Sequence, residues 1–342
     1  MLPSAPPQVS PERLMQFTFG FAPPLMIEAA LRYGIFDILD KGPRTLDALC
    51  AETATSSRGL RMVLNALVGI DVLAKDDAGR YALTEESSTF LVTGKPTYHG
   101  AFFLLTREPM LASWGRLHDV IKNGRAAHHI NREQEGTGFF LRFVEDIFSI
   151  HQAGAQTLAK ALAVPPAPTP ISVLDLAAGS GVWSIALAQQ SPNVRVTAVD
   201  WPGVIAVTRK VTARHGVSDR YRFVAGDLHS ADFGQGHMIA TLGHILHSEG
   251  EGGSRRLLQK TFEALAPGGT IAIAEILADA ERRTAAPALI FAVNMLVNSD
   301  EGDTFTFDEI RGWLLEAGFE GVRTVEAPGL APLLILATKP NN

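Results

Sequence analysis

Five ionisable side chains stand at spacings that suit chemistry. Asp175 lies within the apolar run Ile171–Leu176, Asp200 ends the next such run 25 residues later, and Asp227 follows a third. His247 follows a fourth run, and Glu275 ends a fifth, 28 residues beyond it. Between the first two runs lies Ala177-Ala178-Gly179-Ser180-Gly181, where the glycines permit a tight turn and leave room for a ligand. The amides that open the following helix can then donate to polar ligand atoms. An acidic residue at the end of a second strand is placed to accept from ribose hydroxyls, and Asp227 can accept from an exocyclic amine. Either carboxylate alone can serve as a helix cap, but at successive strand ends they favour a nucleoside. His247 and Glu275 can face one cleft, and an imidazole with an ordinary pKa near 6.5 suits a general base. The plainer alternative is a helix-end histidine and an exposed strand-end glutamate. His244, three residues before His247, raises a metal-site alternative; two histidines do not complete a site, and no metal is expected.

These residues need a scaffold that alternates strands with helices, and the pattern provides one. Strands are expected at 171–176, 194–200, 221–225, 238–242, 270–275, 322–326 and 333–338, with helices at 182–190, 202–215, 252–265 and 308–317. This is a doubly wound α/β domain with a mainly parallel sheet. A run with four prolines in seven residues, Val164–Pro170, is read as the linker from an N-terminal domain at 1–163 to a ligand-binding domain at 171–342.

The N-terminal part reads as helices with a small wing. Residues 1–11 carry four prolines and suggest a loose arm. Apolar residues from Leu14 to Ile35 recur at helical intervals across a break at Pro23-Pro24, and so apolar a segment suits dimerisation. Thr45 and Ser56 are placed to cap two helices, and a hairpin is expected to turn at Asp76–Gly79, giving a winged-helix pattern. Eight positive and nine negative charges between Leu31 and Lys95 leave no basic face for DNA. Helices over 100–163 carry many aromatic residues together with His128, His129 and His151.

With 46% hydrophobic residues and a formal charge of -6, the chain of 342 residues suits a core-forming protein that acts on small molecules rather than nucleic acid. Cys50 is the single cysteine, which rules out an intrachain disulfide and thiolate metal clusters and suits a reducing cytoplasm. Neither a targeting signal nor a membrane span is expected.

The order of motifs resembles a known group. Val173-Leu-Asp-Leu-Ala-Ala-Gly-Ser-Gly, Asp200-Trp-Pro-Gly-Val, Gly226-Asp-Leu, Leu246-His247, Ala264-Leu-Ala-Pro-Gly-Gly and Ala274-Glu275 resemble the S-adenosylmethionine-dependent small-molecule O-methyltransferases of the caffeic-acid and acetylserotonin type. Leu31–Leu39, the wing ending Gly79–Thr84 and Phe307–Phe319 extend the resemblance over nearly the whole chain. It implies a class I methyltransferase Rossmann-like sheet with an N-terminal helical winged-helix dimerisation domain, and a homodimer. It also implies S-adenosylmethionine as cofactor, methyl transfer to a hydroxyl of a small aromatic acceptor, and a role in secondary metabolism. The implied cofactor set is Asp175, Gly179, Gly181, Asp200, Trp201, Asp227 and Leu228; the acceptor set is His151, His244, Met295 and Asn298. His247 would be the base and Glu275 its orienter. Three positions depart from the family pattern: Ala177 replaces a glycine, His247-Ser248-Glu249 replaces His-Asp-Trp, and Thr304 stands near the usual second glutamate, with Glu301 or Asp303 as stand-ins. C- or N-methylation, and a relative retooled for decarboxylation, oxygenation or partner binding, are the competing readings.

Overall fold

A computed structural model describes residues 9–105, 107–163, 170–329 and 333–341. The chain divides into two compact units, Met1–Arg107 and Glu108–Asn342. That division falls ahead of the proline-rich run read as the linker, of which residues 164–169 lie outside the described residues. The cause is local. The helix Phe148–Leu162 buries Ala155, Leu158 and Ala159 in one core with Val173 and Ile185 of the sheet domain.

In the first unit, Thr45 and Ser56 accept from the amides of Ala48 and Gly59, capping the helices Leu46–Thr53 and Ser57–Gly69 as their sequence positions suggest. Strands β1 (Leu73–Lys75) and β2 (Tyr81–Leu83) pair antiparallel, Leu73 opposite Leu83. Ile35, Phe36, Leu49, Leu64, Leu67 and Tyr81 form the core, and the Tyr81 hydroxyl donates to Asn65 Oδ1 at 2.7 Å. Pro23 and Pro24 open the helix Ala22–Arg32, because a missing amide costs nothing in a first turn. Ahead of it, Leu14, Phe17, Phe19 and Phe21 are exposed. By length and composition alone the 21 residues Glu12–Arg32 are long and apolar enough to cross a membrane, a test that core helices also pass. A 3-10 turn at Phe17–Phe19 interrupts them.

The second unit is built on seven strands: β3 (Ile171–Leu176), β4 (Val194–Asp200), β5 (Tyr221–Ala225), β6 (His237–Gly243), β7 (Leu265–Ala274), β8 (Glu320–Glu326) and β9 (Leu333–Thr338). Their order is β5-β4-β3-β6-β7-β9-β8; β3 to β7 run parallel, and β9 is antiparallel to both neighbours. Successive residues of β3 enter different cores. Val173 packs with the helices Phe148–Leu162, Val182–Gln190 and Pro202–Arg214, whereas Leu174 packs with Leu246–Ala264 and Phe307–Glu316. A strand covered on both faces is mostly apolar, as β3 is apart from Ser172 and Asp175. The connections reverse direction between β3 and β6, and a doubly wound sheet opens its ligand crevice at the carboxyl ends of such a pair. The glycine turn leaves β3 and the His244–His247 segment leaves β6 at this point.

Candidate active site

The turn after β3 is held in a left-handed path, with φ of +50° at Ala177, +55° at Gly179 and +77° at Gly181. Ala177, where the family resemblance implies a glycine, takes that path as alanine; a side chain in this region costs on the order of 1 kcal/mol. Asp200 fixes the turn, its carboxylate accepting from the Gly179 amide at 2.8 Å and the Trp201 amide at 2.7 Å. Thr208 donates to the Gly179 carbonyl at 2.7 Å. Burial pushes the Asp200 carboxyl up to about 6, against the two amides that stabilise its charge. A Cβ on Gly179 would lie 3.4 Å from Val144, so the helix Glu133–Asp146 closes over the turn. Phe140 of that helix meets the ring of half-buried Trp201 edge-on, 5.8 Å between centroids. Helical periodicity alone does not reveal which surface such a helix covers, so neither Phe140 nor Val144 stands out in the sequence as a neighbour of the turn.

Two residues of the expected cofactor set are placed otherwise. Asp175 is 1% exposed, with one carboxylate oxygen accepting from Ser184 and the other from Thr241 at 2.7 Å. Burial, opposed by these hydroxyls and aided by the charge of Asp200, pushes its carboxyl up to about 7. It braces the turn from behind, because both oxygens are committed to side chains inside the sheet. Leu228 is buried in the core with Phe233 and Leu258. Asp227 is exposed and accepts from the His229 amide at 2.8 Å, closing a turn beside Asp200. The residues the turn leaves available to hold a nucleoside are Gly179, Gly181, Asp200 and Trp201, with exposed Asp227 beside them. Glycines with little space around them and a half-buried carboxylate on the turn fit S-adenosylmethionine.

His247 and Glu275 meet. Glu275 is fully buried; its Oε1 lies 2.7 Å from His247 Nδ1 and accepts from the Ile276 amide at 2.9 Å, while its Oε2 accepts from the His247 amide at 3.2 Å. Burial alone would raise this carboxyl, but the positive charge available to His247 and the hydrogen bonds of the two histidines hold it well below the usual carboxylate range. A carboxylate in this place favours the tautomer with the proton on Nδ1, which would leave Nε2 able to accept a proton. Phe291 packs edge-on against the His247 ring at 4.9 Å. It lies on the apolar helix Ala286–Asn298, where no polar signal marks it.

His244 and His151 join this centre. His244 has φ of +57°, its amide donates to the Ala274 carbonyl at 2.8 Å, and its Nδ1 lies 3.7 Å from Glu275 Oε1. Its ring lies 4.4 Å from that of buried His151, with Trp183 beyond. Gly243 is required here, since a Cβ would lie 2.0 Å from Trp183 Nε1. Met295 and Asn298 are buried; the Asn298 amide group donates to the Asn294 carbonyl at 2.9 Å, and Asn294 Oδ1 also accepts from Trp114. The loop after this helix meets the base through backbone, the Asp303 amide donating to the His247 carbonyl at 2.9 Å. Glu301 and Asp303 are exposed, and Thr304 is 1% exposed with no partner for its hydroxyl among the described residues. Glu249, two residues past the base, pairs with His229.

Residues 116–320 match the O-methyltransferase domain family and residues 15–93 match the O-methyltransferase dimerisation domain. The chain belongs to the O-methyltransferase family. It is 27% identical over 334 residues to the tetracenomycin polyketide synthesis 8-O-methyl transferase of Streptomyces glaucescens, covering 95% of this chain and 96% of that one. Among solved structures, a Nostoc punctiforme protein assigned as an O-methyltransferase matches with a TM-score of 0.89 at 27% identity, covering 97% and 100% of the two chains. Human N-acetylserotonin methyltransferase in complex with S-adenosylmethionine matches with a TM-score of 0.83 at 25% identity, covering 98% and 99%. The chain is thus an S-adenosylmethionine-dependent O-methyltransferase with an N-terminal dimerisation domain.

Proposed function

We propose that the protein transfers a methyl group to a phenolic hydroxyl of a small aromatic acceptor, with His247 as the base. The 2.7 Å contact of His247 Nδ1 with the buried carboxylate of Glu275 carries this reading. S-adenosylmethionine supplies, when bound, an electrophilic methyl on sulfur, and Gly179, Gly181, Asp200, Trp201 and Asp227 are the residues that would hold it. His247 Nε2 takes the proton of the hydroxyl as its oxygen gains the methyl, and Glu275 stabilises the resulting imidazolium. Trp183, Phe291, Met295 and the neighbouring, tilted rings of His151 and His244 offer surface that suits an aromatic acceptor. Asn298 borders that surface. The activities carried in the names of the relatives, on a polyketide and on N-acetylserotonin, support the same class.

The exposed face of Leu14, Phe17, Phe19 and Phe21 falls at the start of the matched dimerisation domain, and a homodimer in a cytoplasmic setting is the assembly that would cover it. Methyl-labelled S-adenosylmethionine, offered with panels of phenols, amines and carbon acids to wild type and His247→Ala, tests the reading. Labelled ethers from phenols, formed about 10²–10⁴-fold more slowly by the variant, are expected. Transfer to amines or carbon acids that is indifferent to His247 would refute it.

A further inference from the structure

We propose that His244, His247 and Glu275 form a binding site for a zinc-class divalent cation, and that occupancy of this site shuts the base off. Each residue offers one ligand atom, and the three atoms lie within 4.8 Å of one another. In sequence the two histidines lacked a third ligand; β7 brings Glu275 between them. Two imidazole nitrogens and one carboxylate oxygen suit a borderline cation such as Zn²⁺, with solvent in the fourth position.

The spacing is close to what such an ion requires. Bonds of about 2.0–2.1 Å in a tetrahedral arrangement place neighbouring ligand atoms about 3.3 Å apart. Here the two histidine contacts to Glu275 Oε1 are 2.7 Å and 3.7 Å, one below that spacing and one above it. To reach that spacing the first contact opens and the second closes by about half an ångström, and the two histidine nitrogens, no more than 4.8 Å apart, draw in by at most about 1.5 Å. The buried Nε2 of His244 has no hydrogen-bond partner among the described residues, so the adjustment breaks no hydrogen bond at that edge, although the ring must shift against His151. Glu275 is fully buried, so its carboxyl is shielded from solvent with a histidine nitrogen on two sides.

Binding displaces the proton shared by His247 Nδ1 and Glu275 and releases it to solvent. His247 then loses its orienter, its Nε2 becomes a weaker base, and a cation stands where a positively charged sulfonium must approach. The inhibitory part rests on the methyl-transfer reading above, whereas the binding part does not.

Zinc titrated against a chromogenic chelator, with the purified full chain, is expected to show one high-affinity equivalent per chain. His244→Asn and His247→Asn, each checked for a native circular dichroism spectrum and melting curve, should weaken it at least 30-fold. Co²⁺ should give the visible absorption of a four-coordinate site in wild type and lose it in both variants. Micromolar zinc should abolish methyl transfer reversibly on chelation, while the residual rate of His244→Asn should be at least 30-fold less sensitive. Absence of a stoichiometric site, or equal zinc affinity in wild type and both variants, overturns the proposal. So does zinc binding that leaves the rate unchanged. If no acceptor is methylated even without zinc, the functional reading fails while the chelator and Co²⁺ results still decide the site.

Discussion

Replacing Glu275 by Gln tests how the catalytic centre is held. The substitution keeps the shape of the side chain and removes its charge. Glu275 accepts from His247 Nδ1, from the Ile276 amide and from the His247 amide, with no donor of its own. A glutamine that turns its oxygen to His247 Nδ1 and the Ile276 amide must aim its NH₂ at the His247 amide, setting donor against donor. The charge-assisted bond to the ring becomes a neutral one, a loss of about 1–2 kcal/mol, and the donor clash adds about 1–2 kcal/mol more. A deficit of about 2–4 kcal/mol in the transition state corresponds to about 30–1,000-fold in kcat. The assay is steady-state methyl transfer to a phenol accepted by the wild type, with S-adenosylmethionine affinity measured separately by calorimetry. That affinity should stay within about threefold, because Asp200 and the glycine turn are untouched. A kcat within threefold of wild type would refute the assignment of Glu275 as orienter. A rate loss matched by an equal loss of cofactor affinity would relocate its role to the nucleoside cradle.

Three further outcomes are expected. Asp175 and Asp200 titrate near 7 and 6 in the fold, above the ordinary carboxylate value of 3.8. Their contribution to stability is therefore full below about pH 4 and is lost as pH rises through 6 and 7, at most about 4 kcal/mol for Asp175. Melting scans in matched buffers from pH 5 to 8 should show Asp175→Asn losing less stability across that window than wild type, and parallel curves would count against the burial argument. Asp200→Ala should weaken S-adenosylmethionine binding by about 10–100-fold in calorimetry, since it removes the acceptor that fixes the Gly179 amide and leaves that amide unpaired; unchanged binding would remove Asp200 from the cradle. Phe17→Glu with Phe21→Glu places charge on the exposed N-terminal face and should convert a dimer to a monomer in light scattering, while a dimer that survives both changes would place the interface elsewhere.

The sequence revealed those features that depend on chain-local physics. β3 and β9 stand where near-continuous apolar runs predict them, because a strand covered on both faces has little reason to alternate, and β4 and β5 also stand where predicted despite an exposed arginine in each. The meeting of His247 with Glu275 was foreseeable, since adjacent parallel strands deliver their carboxyl ends to one edge. The inward turn of Asp175 was not: in a strand buried on both sides neither direction is polar, and only Ser184 and Thr241, 9 and 66 residues away, decide where the carboxylate goes. Nor was the closure of Val144 over Gly179, which depends on helix packing that periodicity does not encode. The resemblance expects a second glutamate near Thr304; what the loop offers to His247 in the structure is the backbone amide of Asp303.

Because Glu275 grips both the ring and the main chain of His247, the position and the tilt of the base are set by one carboxylate on β7. The surfaces that would meet an acceptor come from elsewhere, from the helix Ala286–Asn298 and from His151 and Trp183 on their own helices. Divergence among such enzymes can therefore rewrite the acceptor wall one side chain at a time without detuning proton removal. A change at Glu275 itself offers no neutral intermediate, so substrate range should drift readily along a lineage while the proton-transfer pair is inherited whole.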